Sequence, residues 1–352
     1  MGILRTGGTS SCAILEEDGS AYCWGGNEFG QLGDGTTTDR LRPTKIVGSP
    51  LYSVPLPGSH TCALDRDALL CWGRNLSGEV GVGNTDPVHT PAIVGRGLVF
   101  WDVVVGDDFT CGTANEGTFC WGANDFGQLG TGAPGDSPTP VGVAGGHQFR
   151  LLAAAGHTVC GNTSLGEVFC WGNGADGELG NGQFGVTSST PTQVSAPFQI
   201  FWMAIGANAA GQATVCATAE NGLYCWGKNS DGEIGDGTKL RKSVPTQVAG
   251  LPGGPNSLIM PGGSHTCART PRYEVFCWGK GGRLGTGSQQ GSLTPVAVAG
   301  GLEFTWIWPA LDHTCGWTQA EPSQAYCWGD NSRGQLGDGT TTARQAPRLV
   351  VF

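Results

Sequence analysis

The sequence predicts an all-β fold: a seven-bladed β-propeller of four-stranded antiparallel blades, one cysteine pair per blade, closed into a ring where the two chain ends meet. Three observations carry this expectation. The tripeptide Cys-Trp-Gly occurs seven times, beginning at Cys23, Cys71, Cys120, Cys170, Cys225, Cys277 and Cys327, at intervals of 48, 49, 50, 55, 52 and 50 residues. Each unit holds about four short runs rich in Val, Phe and Trp and bounded by Gly and Pro, the pattern of strands joined by turns. The final Pro347-Arg348-Leu349-Val350-Val351-Phe352 and the initial Gly2-Ile3-Leu4-Arg5-Thr6-Gly7, joined end to end, rebuild the segment found between repeats.

The elements follow in order within a unit. In the third, strands are expected at Val99 to Val105, Thr110 to Thr113, Gly117 to Trp121 and Pro140 to Ala144. Upstream of Cys-Trp-Gly lies a second cysteine, often as His-Thr-Cys: His60-Thr61-Cys62, His265-Thr266-Cys267 and His313-Thr314-Cys315. Downstream comes a glycine-rich turn, Asn27-Glu28-Phe29-Gly30-Gln31-Leu32-Gly33-Asp34-Gly35 in the first unit and Asn331 to Gly339 in the last. A proline then precedes a β-branched stretch, as in Pro191-Thr192-Gln193-Val194. No 3.6-residue periodicity is long enough for a helix. Four-stranded units repeated seven times suit a radial array that leaves only short, protected edges. Residues 1–352 are therefore expected to form one propeller, with repeats of approximately 1–48, 49–97, 98–146, 147–198, 199–250, 251–300 and 301–352.

Composition agrees. Of 352 residues 62 are glycine and 14% are charged, yet 39% are hydrophobic, which is not a disordered balance. A net charge of −10 argues against a nucleic-acid partner, which would need a basic footprint. No apolar run is long enough for a membrane-spanning helix, and no signal peptide is visible at Met1.

All 14 cysteines fit the repeat and pair by order: Cys12/Cys23, Cys62/Cys71, Cys111/Cys120, Cys160/Cys170, Cys216/Cys225, Cys267/Cys277 and Cys315/Cys327. A hairpin would set each pair opposite on neighbouring strands, within reach of a disulfide. Free buried thiols and zinc are the rivals. Structural zinc prefers Cys-x(2–4)-Cys spacing, and here neighbouring blades would have to share ligands. Disulfides imply an oxidising compartment, hence a secreted or cell-surface location with any signal peptide removed. Two Asn-x-Ser sequons, Asn75-Leu76-Ser77 and Asn162-Thr163-Ser164, are compatible with that route.

Cys-Trp-Gly-x-Asn-x-x-Gly-Gln-Leu-Gly-Asp-Gly resembles the regulator of chromosome condensation repeat, over essentially the whole chain. The resemblance implies a seven-bladed propeller. Its members include an exchange factor for a nuclear GTPase, a plant ultraviolet-B photoreceptor and a bacterial β-lactamase inhibitor, so the fold is a poor guide to function. The cysteine pairs look more like secreted bacterial variants and, more loosely, the ectodomains of crinkly-type plant receptor kinases. Exchange activity is disfavoured by the acidic charge and the cysteines. Light sensing is disfavoured by the lack of a repeated Trp-Arg-His motif.

The Trp of each Cys-Trp-Gly is expected between blades. Five others, Trp101, Trp202, Trp306, Trp308 and Trp317, fall outside the repeat and form a possible binding surface if exposed, or blade packing if buried. Trp306 and Trp308, two apart, share a strand face. His60, His157, His265 and His313 recur at one repeat position, as structural hydrogen-bonders or as a radial metal set. The Asp-Gly turns superficially resemble calcium loops but lack the closing bidentate Glu. No catalytic motif stands out, and no cofactor or metal site is expected.

The expected function is a non-enzymatic extracellular module binding a protein or glycan through loops on one face. Irregular stretches Gly182 to Gln212, Ala133 to Pro138 and Pro252 to Pro261 are the candidate loops. A self-assembling subunit of a surface layer, sheath or filament, and an enzyme with a pocket at the channel mouth, are the alternatives.

Overall fold

The structure, a computed structural model, describes residues 3–15, 19–48, 51, 53–66, 68–251, 253–254 and 256–352. Strands join as consecutive antiparallel meanders in seven sheets, and no helix occurs among the described residues. Blade 3 is representative: Phe100–Val105, Phe109–Ala114, Gly117–Gly122 and Ser137–Gly142, against the expected 99–105, 110–113, 117–121 and 140–144. Six sheets have four strands. In blade 2 the innermost segment is reduced to the bridge Leu56↔Cys62 and the bond from Ser53 N to Leu64 O. Pro55 and Pro57 interrupt it there, because proline has no N–H to give to a ladder.

The cysteine pairs are disulfides. In every blade the two partners stand directly opposite on the second and third strands, with Cα atoms 4.1 Å apart. Strand alternation sends the adjacent Trp to the opposite sheet face. The disulfide of one blade therefore packs against the Trp of the next. Cys12, Cys23, Leu32 and Ile46 of blade 1 enclose Trp72 of blade 2. Cys160, Cys170, Leu179 and Val194 of blade 4 enclose Trp226 of blade 5. All seven of these indoles are fully buried, as expected.

The Gly-Gln-Leu-Gly turn is shaped around that indole. The backbone carbonyl of Gln31 accepts from Trp72 Nε1 at 2.9 Å, Leu32 packs beneath, and Gly33 presents a bare α-carbon. A Cβ on Gly33 would lie 2.6 Å from Trp72 Nε1, and its φ of +70° disfavours any side chain. Glu178 and Glu233 carbonyls receive Trp226 and Trp278 in the same way, at 2.9 and 2.8 Å.

The seam repeats this contact. Trp24 Nε1 of blade 1 donates to Gln335 O of blade 7 at 3.0 Å, and Cys315 and Cys327 share a core with Trp24 and Leu4. Phe352 meets the Trp24 ring edge-on at 5.9 Å, and Thr6 Oγ1 donates to Trp308 O at 2.7 Å. The ends are thus adjacent, as expected. Met1 and Gly2 lie outside the described residues.

Both sequons are internal. Asn75 Nδ2 donates to Asn84 O and Asp86 O, and Asn162 Nδ2 donates to Ile200 O of the next blade at 2.7 Å. The first braces a loop, the second ties two blades, and neither offers a glycan site in the folded chain, which removes them as support for secretion.

Two outcomes follow. Replacing Cys216 and Cys225 together by Ser should lower stability by about 2–3 kcal/mol in urea unfolding, the loop-entropy effect of one small bridge, while the far-ultraviolet dichroism stays native. Trp226→Phe should cost about 1 kcal/mol more than Trp121→Phe in the same assay, because Trp121 Nε1 alone among the seven indoles has no acceptor.

Candidate functional site

The meander gives the ring two different faces. One carries the long loops between third and fourth strands; the other carries the second-to-third-strand turns and the links between blades. The first strands surround the axis and enclose a central cavity of about 540 Å³.

The long-loop face is occupied with its own bonding. Arg74 pairs with Asp108, Arg283 Nε with Asp312 at 2.8 Å, and Arg333 Nη1 with Asp39 at 3.1 Å, each pair joining neighbouring blades. The Asp-Gly turns serve as turns. Asp34 accepts from Thr36 N and Oγ1 and from Arg40, and these contacts hold its carboxyl below the usual range despite the opposing effect of burial. Deeper, Lys228 pairs with the buried Glu233. Glu178 holds the same repeat position in blade 4, but Asn173 replaces the lysine, so burial pushes Glu178 up to about 7.

The recurrent histidines tie blades together. Thr110 Oγ1 donates to Glu79 O at 2.8 Å, so it accepts from His60 Nε2–H at 2.7 Å. Ser11 links His313 to Gln335 O in the same manner across the seam, and His265 meets Thr314 at 2.6 Å. Burial holds His60 and His265 down at about 3 and His313 at about 4, so these rings are neutral. His157 instead stacks on Phe126 at 4.6 Å. Among the described residues no group of His, Cys, Asp or Glu is arranged to hold a metal.

The hairpin face differs. The inner strands of blades 3, 4, 5 and 7 each carry a β-bulge at one register position, where Trp101, Arg150, Phe201 and Thr305 are the extra residues. A bulge turns its extra residue away from the ladder. Trp101 is 48% exposed and Phe201 52%, each near the start of its inner strand, at the hairpin-face end. Trp306 is 40% exposed and stacks on Trp308 at 5.7 Å. Trp202 and Trp308 line the cavity. Trp317 is buried, its Nε1 donating to Ser323 Oγ at 2.7 Å.

The five non-repeat tryptophans thus divide into rim, cavity and core. Phe201 and Arg150 were not singled out from sequence, because a bulge leaves no compositional mark. The stretch Gly182 to Gln212 crosses from the long-loop face to the hairpin face and back, so it is not one surface. Ala133 to Pro138 belongs to the long-loop face, where Ala133 O and Asp136 brace Asn124. Pro252 and Pro255 of the third stretch lie outside the described residues.

Six Trp-to-carbonyl contacts built on Gly-x-Leu-Gly or Gly-x-Ile-Gly turns mark the chain as one class of repeat propeller. The chain belongs to the Regulator of chromosome condensation (RCC1) repeat family, whose profile matches residues 18–64, 116–161, 166–216, 220–269 and 323–352, more than half of the chain. The matched repeat is out of phase with the blades. Residues 166–216 contain the last two strands of blade 4, the first of blade 5 and the second as far as Cys216.

The chain is 28% identical over 367 residues to the ultraviolet-B receptor UVR8 of Arabidopsis thaliana, covering 99% of this chain and 81% of that one. It is 33% identical over 203 residues to human E3 ubiquitin-protein ligase HERC2, covering 56% of this chain; the match spans only 4% of that ligase. Yeast RCC1 (Prp20), solved bound to Kap60, superposes with a TM-score of 0.80 at 20% identity, over 94% of this chain and 83% of that one, a likeness of fold. This is an RCC1-type propeller, a kind of protein-interaction module. No helix among the described residues is long and apolar enough to cross a membrane.

Glu178 supplies a pH test. Its folded pKa lies above the ordinary 4.5, so its favourable contribution is full below about pH 4.5 and is lost as pH rises through about 7. Glu178→Gln, which restores the residue found at Gln31, Gln128 and Gln335, should stabilise the protein on the order of 2 kcal/mol at pH 8 and little at pH 4 in denaturant titrations.

Proposed function

We propose that this chain is an extracellular, non-enzymatic interaction module that binds a partner protein through the hairpin face around the channel mouth. The observation that carries the reading is the set of register-matched bulges exposing Trp101, Arg150 and Phe201, with Trp306 at the next inner-strand position. Exposed aromatics and arginine are the residue types that dominate interface hot spots. The long-loop face offers less, since its charges are largely paired with one another. The seven disulfides support an oxidising compartment. Yeast RCC1 bound to Kap60 supports a protein partner for a propeller of this family.

The test is capture from the extracellular fraction of the source cells, followed by affinity measurement on the partner recovered. Trp101→Ala, Phe201→Ala and Trp306→Ala should each weaken binding by about 2 kcal/mol without lowering the thermal midpoint. Leu240→Ala, an exposed change on the long-loop face, should leave binding unchanged. Loss of binding from Leu240→Ala with retention in the three rim variants would assign the interface to the other face. A recovered glycan in place of a protein would retain the rim but change the partner class.

A further inference from the structure

The inner strands share one register, so a single position can be followed round the ring: the residue three places before the one opposite the second-strand cysteine. Ser53 holds it in blade 2, Trp101 in blade 3, Arg150 in blade 4, Phe201 in blade 5, Ser257 in blade 6 and Thr305 in blade 7. In blade 1 it falls on Gly2, outside the described residues. Three consecutive blades thus carry large side chains where the blades flanking them carry a serine. All three are exposed, whereas Ser257 is buried. The run has two ends, and its order is aromatic, cation, aromatic.

The three residues sit on adjacent strands held in step. The inner strand of blade 4, Phe149–Ala155, comes within 8 Å, Cα to Cα, of Phe100–Val105 on one side and of Ile200–Ala207 on the other. Two hydrogen bonds fix the strands to each other at the bulges. Leu152 N donates to Asp102 Oδ2 at 3.3 Å, beside Trp101. Asn162, paired with Leu151, donates from Nδ2 to Ile200 O at 2.7 Å, beside Phe201. Arg150, between them, has no ion-pair or hydrogen-bond partner among the described residues. Arg74, Arg283 and Arg333 on the opposite face are all paired. The Arg150 guanidinium is therefore open to an anion from outside the chain.

We propose that this arc takes an extended peptide segment of the pattern apolar-x-acidic-x-apolar. It rests on the rim reading above and narrows the partner. Alternate residues of an extended chain lie on one side, about 6.6 Å apart, which is close to the step from one inner strand to the next. The segment crosses the three strands with its acidic side chain on Arg150 and its apolar side chains on Trp101 and Phe201. The guanidinium matches a carboxylate with paired N–H donors, and the flanking rings keep water from that pair. A sulfated glycan also combines anions with faces that stack on aromatic rings. It carries many charges, and one cation on a chain of net charge −10 is a poor match for it.

Panning a random dodecapeptide library on the full folded chain tests the assignment. The selected peptides should share the pattern, and replacing their acidic residue by its amide should weaken them about tenfold or more. Arg150→Gln should cost a similar factor. Arg150→Glu should exchange the preference, so that a peptide with lysine at the central place binds more tightly than its acidic parent. The proposal is overturned if the selected peptides lack the acidic residue, if Arg150→Gln binds them like the unsubstituted chain, or if no peptide is selected, whether or not a heparin oligosaccharide binds. The two readings fail separately. If Trp101→Ala and Phe201→Ala weaken the captured partner while Arg150→Gln does not, the rim reading stands and the peptide pattern falls. If patterned peptides need Arg150 while the captured partner ignores every rim variant, the pattern stands and the rim reading falls.

Discussion

The indole of one blade, held by the backbone carbonyl of the blade before it, is the contact on which the rest of the structure depends. It explains the repeat residue by residue. The carbonyl comes from the Gln, Glu or Arg of the turn, the following apolar residue fills the space below, and the next glycine makes room for the ring edge. The disulfide of the blade that supplies the carbonyl forms the floor of the same core. Because Trp24 reaches Gln335 as Trp72 reaches Gln31, the ring closes with the contact that builds it. Among the described residues no strand is exchanged across the seam.

An interface that repeats round the ring, with only the Trp121 indole lacking its carbonyl acceptor, leaves the inner strands free to differ. Opposite the second-strand cysteine stand Arg5, Leu56, Val104, Ala153, Ala204, Met260 and Trp308. One register position thus carries a cation, aliphatics, a thioether and an indole. The same freedom places aromatics at the bulges. Scaffold and chemistry are separated within each blade: outer turns hold the ring, and inner strands give it an identity.

The scaffold was legible because its residues recur. Cys-Trp-Gly fixed strand, face and partner together, and the spacing of the second cysteine matched a cross-strand pair. The chemistry was less legible because it lies in departures from the repeat. Trp101 and Trp317 look alike as non-repeat tryptophans, yet a bulge exposes the first and a hydrogen bond to Ser323 accompanies the burial of the second. Arg5 and Asp102 are nearly a hundred residues apart and line one cavity only through ring geometry. Blade 2 shows the limit of repeat counting, since Pro55 and Pro57 thin a strand that the spacing alone would supply.

The internal sequons turn surface chemistry into a question of timing. Asn75 carries the acceptor pattern for an oligosaccharide, but its amide hydrogens are committed to Asn84 O and Asp86 O once the loop closes. A secretory pathway that attaches glycans to nascent chains meets Asn75 before that closure, and a sugar placed there would occupy the amide the loop needs. Folding and modification therefore compete for one nitrogen. The outcome in a given host depends on which process reaches it first, so a production route without that transfer machinery suits this chain.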